Sequence, residues 1–227
     1  MYEAPLPPQR IRILGAGRFG QLAAKRLLRR YPDASFLMVD SREEKLREVQ
    51  LQCNLPVRTE DAVGSLEKEP VSDDAWIVPA VPVHVAFLWL LDELRRTGEC
   101  IAMPVPDAVD AQVPNPFRVP EGTVYASFAT FICPDACSEP DEICTHTKAP
   151  RPGNLFEALG RIDIPDFHVA VVRSHQLAPG VGGYTGGHIK AVLNAILGAE
   201  GNYLIATSCR CHGVINALNW RRRAVSP

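Results

Sequence analysis

The chain has 227 residues, with 24 Lys+Arg against 26 Asp+Glu, 46% apolar residues and 22% charged residues. This composition excludes wholesale disorder and suffices for one large hydrophobic core or two small ones. A formal net charge of −2 gives no general electrostatic pull toward nucleic acid or an anionic membrane.

The opening MYEAPLPPQR is polar and proline-rich with no apolar stretch behind it, so no secretory signal is expected. With an odd count of seven cysteines, this points to reduced thiols and a cytoplasmic location. Residues 10–15, RIRILG, read as a short apolar strand, and GAGRFGQLAAKRLLRR reads as a helix stopped by Pro32. ASFLMVD (34–40) is a second buried strand. In the charged helix SREEKLREVQLQ that follows, Ser41 is the expected N-cap and Glu44 completes a capping box.

Residues 75–91, AWIVPAVPVHVAFLWLL, carry no formal charge but are short for a bilayer span and are broken by Pro79, Pro82 and His84. A strand, a turn and a helix fit better, so no membrane insertion is expected. The helix VAFLWLLDELRR should end at Gly98, before a strand CIAMPV (100–105). Strands and helices alternating at this spacing require crossover connections, hence an α/β fold: a Rossmann-like parallel sheet with helices on both faces. Five prolines from Pro104 to Pro120 mark a loop, and TVYASFA (123–129) reads as a strand closing this first unit.

FICPDACSEPDEICTHTKAPRPGN then shows almost no regular pattern. LFEALG reads as a short helix, FHVAVVRS (167–174) as a strand, HIKAVLNAILG as a helix, NYLIATSC (202–209) as a strand and CHGVINALNWRRR as a last helix. The expected division is a dinucleotide-binding domain over 10–128 and a smaller Cys-rich and Gly-rich α/β domain over 129–227.

The strongest chemical signal is Gly15-x-Gly17-x-x-Gly20, directly after a strand and opening a helix. The first glycine turns the chain, the second admits a pyrophosphate to the backbone, and the third lets helix and strand pack closely. Free N–H groups at the helix N-terminus would then hold the phosphates. Asp40 closes the second strand, where a carboxylate can accept from the ribose hydroxyls and repel a 2′-phosphate, favouring NAD(H) over NADP(H). Arg42 stands where it could instead pair with such a phosphate. ILGAGRFGQLAAKRL followed by FLMVDSREEKL resembles the nucleotide-binding domain of the TrkA-N (RCK/KTN) proteins, regulators of potassium channels and transporters, over residues 10 to about 125. The resemblance implies a Rossmann fold, NAD(H) or another adenine nucleotide as ligand, and homodimers or larger rings, with a redox or transporter partner. It also implies that Gly15, Gly17, Arg18, Phe19 and Gly20 form the phosphate turn, with Asp40, Ser41 and Arg42 beside the ribose.

The second signal is Cys133-Pro-Asp-Ala-Cys137, then Cys144-Thr-His146. Thiolates bind zinc or iron–sulfur clusters, normally with four ligands. The fourth could be His146 or come from Cys209-Arg-Cys211-His212; free thiols and a redox disulfide are the competing readings. A third signal, GVGGYTGGH, holds five of the sixteen glycines and reads as an anion-binding loop, or as a loop needing positive φ at several points or close packing against a neighbour. His84, just past the strand at 75–80, is the catalytic candidate as a general acid or base, with His175 in similar standing. Arg221, Arg222 and Arg223 read as the basic end of the last helix, too few for a nucleic-acid patch.

Two function classes follow. One is an NAD(H)-binding regulatory module responsive to redox state through a Cys-held metal or Fe–S site. The other is an NAD-dependent oxidoreductase passing electrons or hydride between nicotinamide and a cluster or small substrate. A structural zinc domain with a vestigial nucleotide site is a third.

Overall fold

The computed structural model describes residues 7–120 and 122–223. Residues 1–6, which carry most of the opening segment, lie outside the described residues. In chain order the elements begin with β1 (Arg10–Leu14), α1 (Arg18–Arg30), β2 (Ser35–Asp40), α2 (Glu43–Cys53), β3 (Val57–Thr59), α3 (Gly64–Lys68) and β4 (Trp76–Pro79). Next come α4 (Val85–Thr97), β5 (Gly98–Met103), a 3-10 turn (Asp107–Gln112), β6 (Phe117–Arg118), β7 (Val124–Ser127) and α5 (Leu155–Leu159). The chain finishes with β8 (Phe167–Arg173), β9 (His175–Ala178), β10 (Val181–Thr185), α6 (Gly186–Gly198), β11 (Gly201–Ser208) and β12 (His212–Arg222).

The molecule is α/β, built on two six-stranded sheets. In the first, β3, β2, β1 and β4 pair in parallel, in that order. This is the leading half of the doubly wound strand order. The next two positions are taken by β10, antiparallel to β4, and by β9, antiparallel to β10. α1 and α2 cover one face through Ala23, Leu27, Leu46 and Val49, packed on Ile11, Ile13 and Met38. α3, α4 and α6 cover the other.

The second sheet runs β6-β7-β12-β11-β8, with β5 pairing to the far half of β12. Leu218 and Trp220 of β12 face α4 and α6, so these helices are shared filling between the sheets. Ile215 and Ala217 point the opposite way, into a cluster closed by Val109, Leu155 and Leu159. Both faces of this sheet are therefore covered.

Several expectations are corrected here. The segment CHGVINALNWRRR is strand β12, not a helix, and its basic end carries a different duty: Arg222 Nη2 donates to the carbonyls of Leu197 and Gly198, at 3.1 Å each, where α6 ends. CIAMPV and TVYASFA do not close the first unit; as β5 and β7 they flank β12 in the second sheet. The sheets do not divide at residue 128 either, because β9 and β10 return to the first sheet. GVGGYTGGH is mostly strand β10 rather than an anion-binding loop. At α2 the N-cap is Arg42, not Ser41, and no capping box forms, because Asp40 captures the Arg42 N–H. Among the described residues no helix is long and apolar enough to cross a membrane, and the uncharged stretch 75–91 divides between β4 and α4.

Candidate functional site

The glycine turn has the local geometry its spacing implies. Gly15 sits at φ +107°, and a Cβ on Gly20 would lie 1.8 Å from the Gly15 carbonyl oxygen, so helix and turn touch backbone to backbone. A Cβ on Gly17 would meet only Arg42 Nη2, at 3.9 Å, which leaves that backbone open. Among the described residues α1 has no side-chain N-cap bond, which leaves first-turn amide N–H groups at the positive end of a 13-residue helix. Arg18 begins the helix, and the Phe19 ring beside it is 57% exposed.

Asp40 is 5% exposed and aims back at this turn. Its Oδ2 accepts the Ala16 N–H at 2.7 Å, while Oδ1 accepts the Arg42 N–H at 2.9 Å. The Arg42 guanidinium also donates to both oxygens. These bonds, the Arg42 side chain first, hold the carboxyl down at about 2 despite its burial. Asp40 and Arg42 are thus committed to each other: four N–H donors fill the carboxylate, and a ribose hydroxyl would have to displace the half-exposed guanidinium to reach it. Ser41 stands exposed at the strand end.

The Cys-rich segment docks over this turn. Asp135 pairs with Arg18, and Arg26 Nη1 donates to the carbonyls of Asp135 and Pro179 at 2.5 Å each. The Cys137 carbonyl accepts from the Gly180 N–H at 2.9 Å and from Gln176 Nε2 at 2.7 Å. On the other side, Glu139 takes the Arg210 N–H at 2.5 Å. The segment therefore bridges the first sheet and the β11–β12 turn.

Between them lies a cavity of about 610 Å3 whose wall includes Cys133, Cys137, Cys144, Cys209, Cys211 and His212. It reaches Pro79, the last residue of β4, and so opens at the C-terminal edge of the parallel strands, where open α/β sheets bind ligands. Three of its sulfurs accept backbone N–H groups. Cys137 takes that of Glu139 at 3.4 Å, and Cys209 those of Cys211 and His212 at 3.4 Å each. Cys144 takes those of Thr147 and His146, which with the Thr147 hydroxyl and nearby Arg151 push its thiol down. Burial pushes Cys209 up to about 12, with Glu139 adding to it, and raises Cys133 and Cys211 as well. Arg151 also lines the cavity, and its buried Nε has no hydrogen-bond partner among the described residues.

Of the candidate fourth ligands, Cys209 and Cys211 belong to this wall. His146 does not: its ring stacks on Phe131, with centroids 4.2 Å apart. Among the described residues, no three His, Cys, Asp or Glu side chains form a group that could hold a metal ion as they stand.

His84 does not face the cavity; it lies behind its wall, at the N-cap of α4. Nδ1 is 2.9 Å from Asn216 Oδ1 and Nε2 is 2.8 Å from Thr207 Oγ1, so the imidazole pins α4 to the second sheet. His175 is edge-on to Trp76 and also lies off the cavity wall.

Burial lowers His84 to about 4, only partly offset by the Asn216 bond, and lowers His175 to about 4, with Arg173 as the next cause. The unfolded chain takes up these protons from about pH 6.5, whereas the folded chain refuses them until about pH 4. Stability should therefore fall as pH drops through that window, by about 3 kcal/mol for His84 alone when the window has been crossed. Urea unfolding at pH 7, 6 and 5 checks this; a midpoint that does not fall toward acid refutes it, and His84→Gln should flatten the slope.

Arg151, Tyr184, Thr207 and Asn216 carried no motif in the sequence. For Tyr184 one local signal exists, a lone large side chain flanked by glycines on a strand. For the others the defining partners are distant in sequence.

Comparison with known proteins adds the following. A family model described as "Uncharacterized protein, C-terminal domain" (AF_1314_C) matches residues 86–221. A protein of Archaeoglobus fulgidus bearing the name "Uncharacterized protein" is 30% identical over 221 residues, covering 91% of this chain and 97% of its own length. The stretch matched by the family model contains all five cavity cysteines and excludes the glycine turn.

Proposed function

The chain belongs to the AF_1314_C family, and from its own residues we propose that it is an NAD(H)-responsive redox module, with a Cys-held metal centre beside its dinucleotide crevice. One observation carries the reading. Cysteines from two separate segments line a single cavity, and that cavity ends on the last residue of β4.

The glycine turn supports the nucleotide half: Gly17 is open, the α1 amides are uncapped, and Asp40 is ionised beside them. The Asp40 carboxylate would repel a 2′-phosphate, so NAD(H) is the expected ligand over NADP(H), with the Arg42 guanidinium giving way to the ribose hydroxyls. Backbone N–H groups on three sulfurs and the unused Arg151 Nε–H support the metal half, since such donors stabilise thiolates and cluster sulfurs. A cavity of about 610 Å3 walled by several thiols leaves room for a polynuclear iron–sulfur cluster as well as for one zinc. A bound dinucleotide would supply a hydride and a cluster single electrons; the chain's own part is to hold the two close and away from water.

Calorimetric titration tests the nucleotide half. NADH should bind with preference over NADPH, and Asp40→Asn should weaken NADH by about tenfold, about 1.4 kcal/mol. Equal affinity of the variant and the parent would overturn the ribose assignment. The cavity volume also admits a small organic molecule, the observation favouring a second reading as an NAD-dependent oxidoreductase. Substrate-dependent loss of NADH absorbance would establish turnover; ligand binding without turnover keeps the regulatory reading.

A further inference from the structure

The ion pair between Arg18 and Asp135 joins the glycine turn to the Cys-rich segment. Arg18 opens α1, its guanidinium lies 5.4 Å from the centroid of the Phe19 ring, and 75% of its side chain is exposed. Asp135 stands between Cys133 and Cys137 in the sequence, and its carboxylate accepts from Arg18 Nη2. The guanidinium that the first turn of α1 could offer to a phosphate is therefore already engaged by an acid of another segment.

The two ends of Asp135 are held differently. Its carbonyl accepts from Arg26, about two turns further along α1, and lies against Gly180. The Cys137 N–H closes a turn onto the Pro134 carbonyl at 3.0 Å, and the Cys137 carbonyl accepts from Gly180 and Gln176. These backbone bonds lie away from the glycine turn and persist whatever Arg18 does. The carboxylate end rests on an ion pair open to solvent on both sides, of a kind worth no more than about fivefold in an equilibrium. Arginine meets a phosphate bidentately, and a pyrophosphate brings more charge than one carboxylate. The carboxylate is thus the weaker partner.

We propose that Asp135 is an autoinhibitory acid: it withholds Arg18 from the phosphate turn, and a bound pyrophosphate takes Arg18 over, loosening the segment between Cys133 and Cys137. Resting on the dinucleotide reading above, this is a regulation of that site, in which occupancy of the crevice is transmitted to the thiol wall. Linkage makes the effect reciprocal, so any state of the cysteines that fixes the segment weakens the nucleotide by the same factor. Because the backbone bonds remain, the segment loosens and does not leave.

The full-length chain is titrated by calorimetry with NADH, ADP-ribose and inorganic pyrophosphate, beside Asp135→Asn, Arg18→Ala and the double variant. Both side chains are partly or largely exposed, so the variants should keep the parent's thermal midpoint. Asp135→Asn should bind each anion about three- to fivefold more tightly at low salt, a gain that disappears near about 0.5 M salt. Arg18→Ala should bind them more weakly, and adding Asp135→Asn to it should restore nothing. Amide hydrogen exchange gives the second readout. A saturating anion should speed the Cys137 and Gly180 amides about threefold in the parent and leave them unmoved in Asp135→Asn, where they are already fast.

Equal affinities of Asp135→Asn and the parent, a gain of the same size without Arg18, or amides that ignore a bound anion would each overturn the proposal. The dinucleotide reading survives any of these results as long as NADH binds. If pyrophosphate shows the Arg18-dependent gain while NADH and ADP-ribose do not bind, that reading falls and the exchange at Arg18 stands. If none of the three binds either chain, both fall.

Discussion

Anaerobically purified Cys144→Ser/Cys209→Ser protein should contain no bound metal, whereas the parent chain should carry a fixed iron or zinc stoichiometry. The pair is chosen because it takes one sulfur from each of the two segments that meet at the cavity. Both sulfurs already receive two backbone N–H groups, an arrangement that favours thiolate charge. Burial beside Glu139 pushes Cys209 up to about 12, and a bound cation reverses that penalty by deprotonating the thiol outright. The expected loss is large, at least about a hundredfold in metal affinity, because a missing ligand exceeds the 10–100-fold cost of a missing outer-shell partner. Elemental analysis with a visible absorption spectrum reads the result. A broad brown absorbance in the parent identifies a cluster, and a colourless zinc-containing parent identifies a mononuclear centre. Metal content equal in parent and double variant, or absent from both in folded protein, would remove the thiolate site from the proposal.

Gly180→Val should be the most disruptive single substitution at the junction of the two sheets. Gly180 stands at φ +66° in the β9–β10 turn, and a Cβ there would lie 1.9 Å from the Asp135 carbonyl oxygen. A β-branched residue meets both a left-handed backbone and a backbone clash that no rotamer relieves. The Cys-rich segment must then lift away, breaking the Gly180 N–H to Cys137 carbonyl bond and the Arg26 contacts to Asp135 and Pro179. A loss of roughly 3 kcal/mol or more in stability is expected, together with loss of metal. Gly198→Ala is the control: a Cβ there meets nothing within 4 Å, and the exchange should be neutral or slightly stabilising. Unchanged stability and metal content in Gly180→Val would mean that the docking of this segment is immaterial to the site.

Legibility in the sequence tracked how local each determinant is. The β1–turn–α1 unit could be read directly, since the positive φ of Gly15 and the contact of Gly20 with the Gly15 carbonyl are local and Asp40 closes the next strand, although Gly15 also abuts the Ala80 carbonyl. β12 could not. With both faces of its sheet covered, Gly213 to Trp220 runs almost continuously buried, hiding the period-two alternation that would distinguish it from a helix. Its Val214–Ile215 pair and its two asparagines are poor helix formers, and that was the available warning. β9 and β10 were obscured by glycines whose reason lies in other segments, as with Gly183 against the Ile77 carbonyl. Ser41 lost the cap of α2 because Asp40 serves both the turn before it and the helix after it. The cysteines were legible as a cluster but not as a cavity, since only the fold brings Cys209 and Cys211 to the wall that Cys133, Cys137 and Cys144 share. His84 reads as a catalytic candidate by its place after the strand at 75–80, because its partners, Thr207 and Asn216, are more than a hundred residues away.

The interleaved order of the sheets bears on how the nascent chain must mature. When the first four parallel strands have left the ribosome, the flank of β4 is bare, and it stays so until β10 arrives about a hundred residues later. β5 waits longer still, for the strand that ends the described chain. Neither half can be excised as an autonomous fragment, and such non-local closure makes for slow, concerted maturation. A centre assembled on sulfurs from both segments would be acquired at the end of that process, so occupancy would report that the polypeptide is whole.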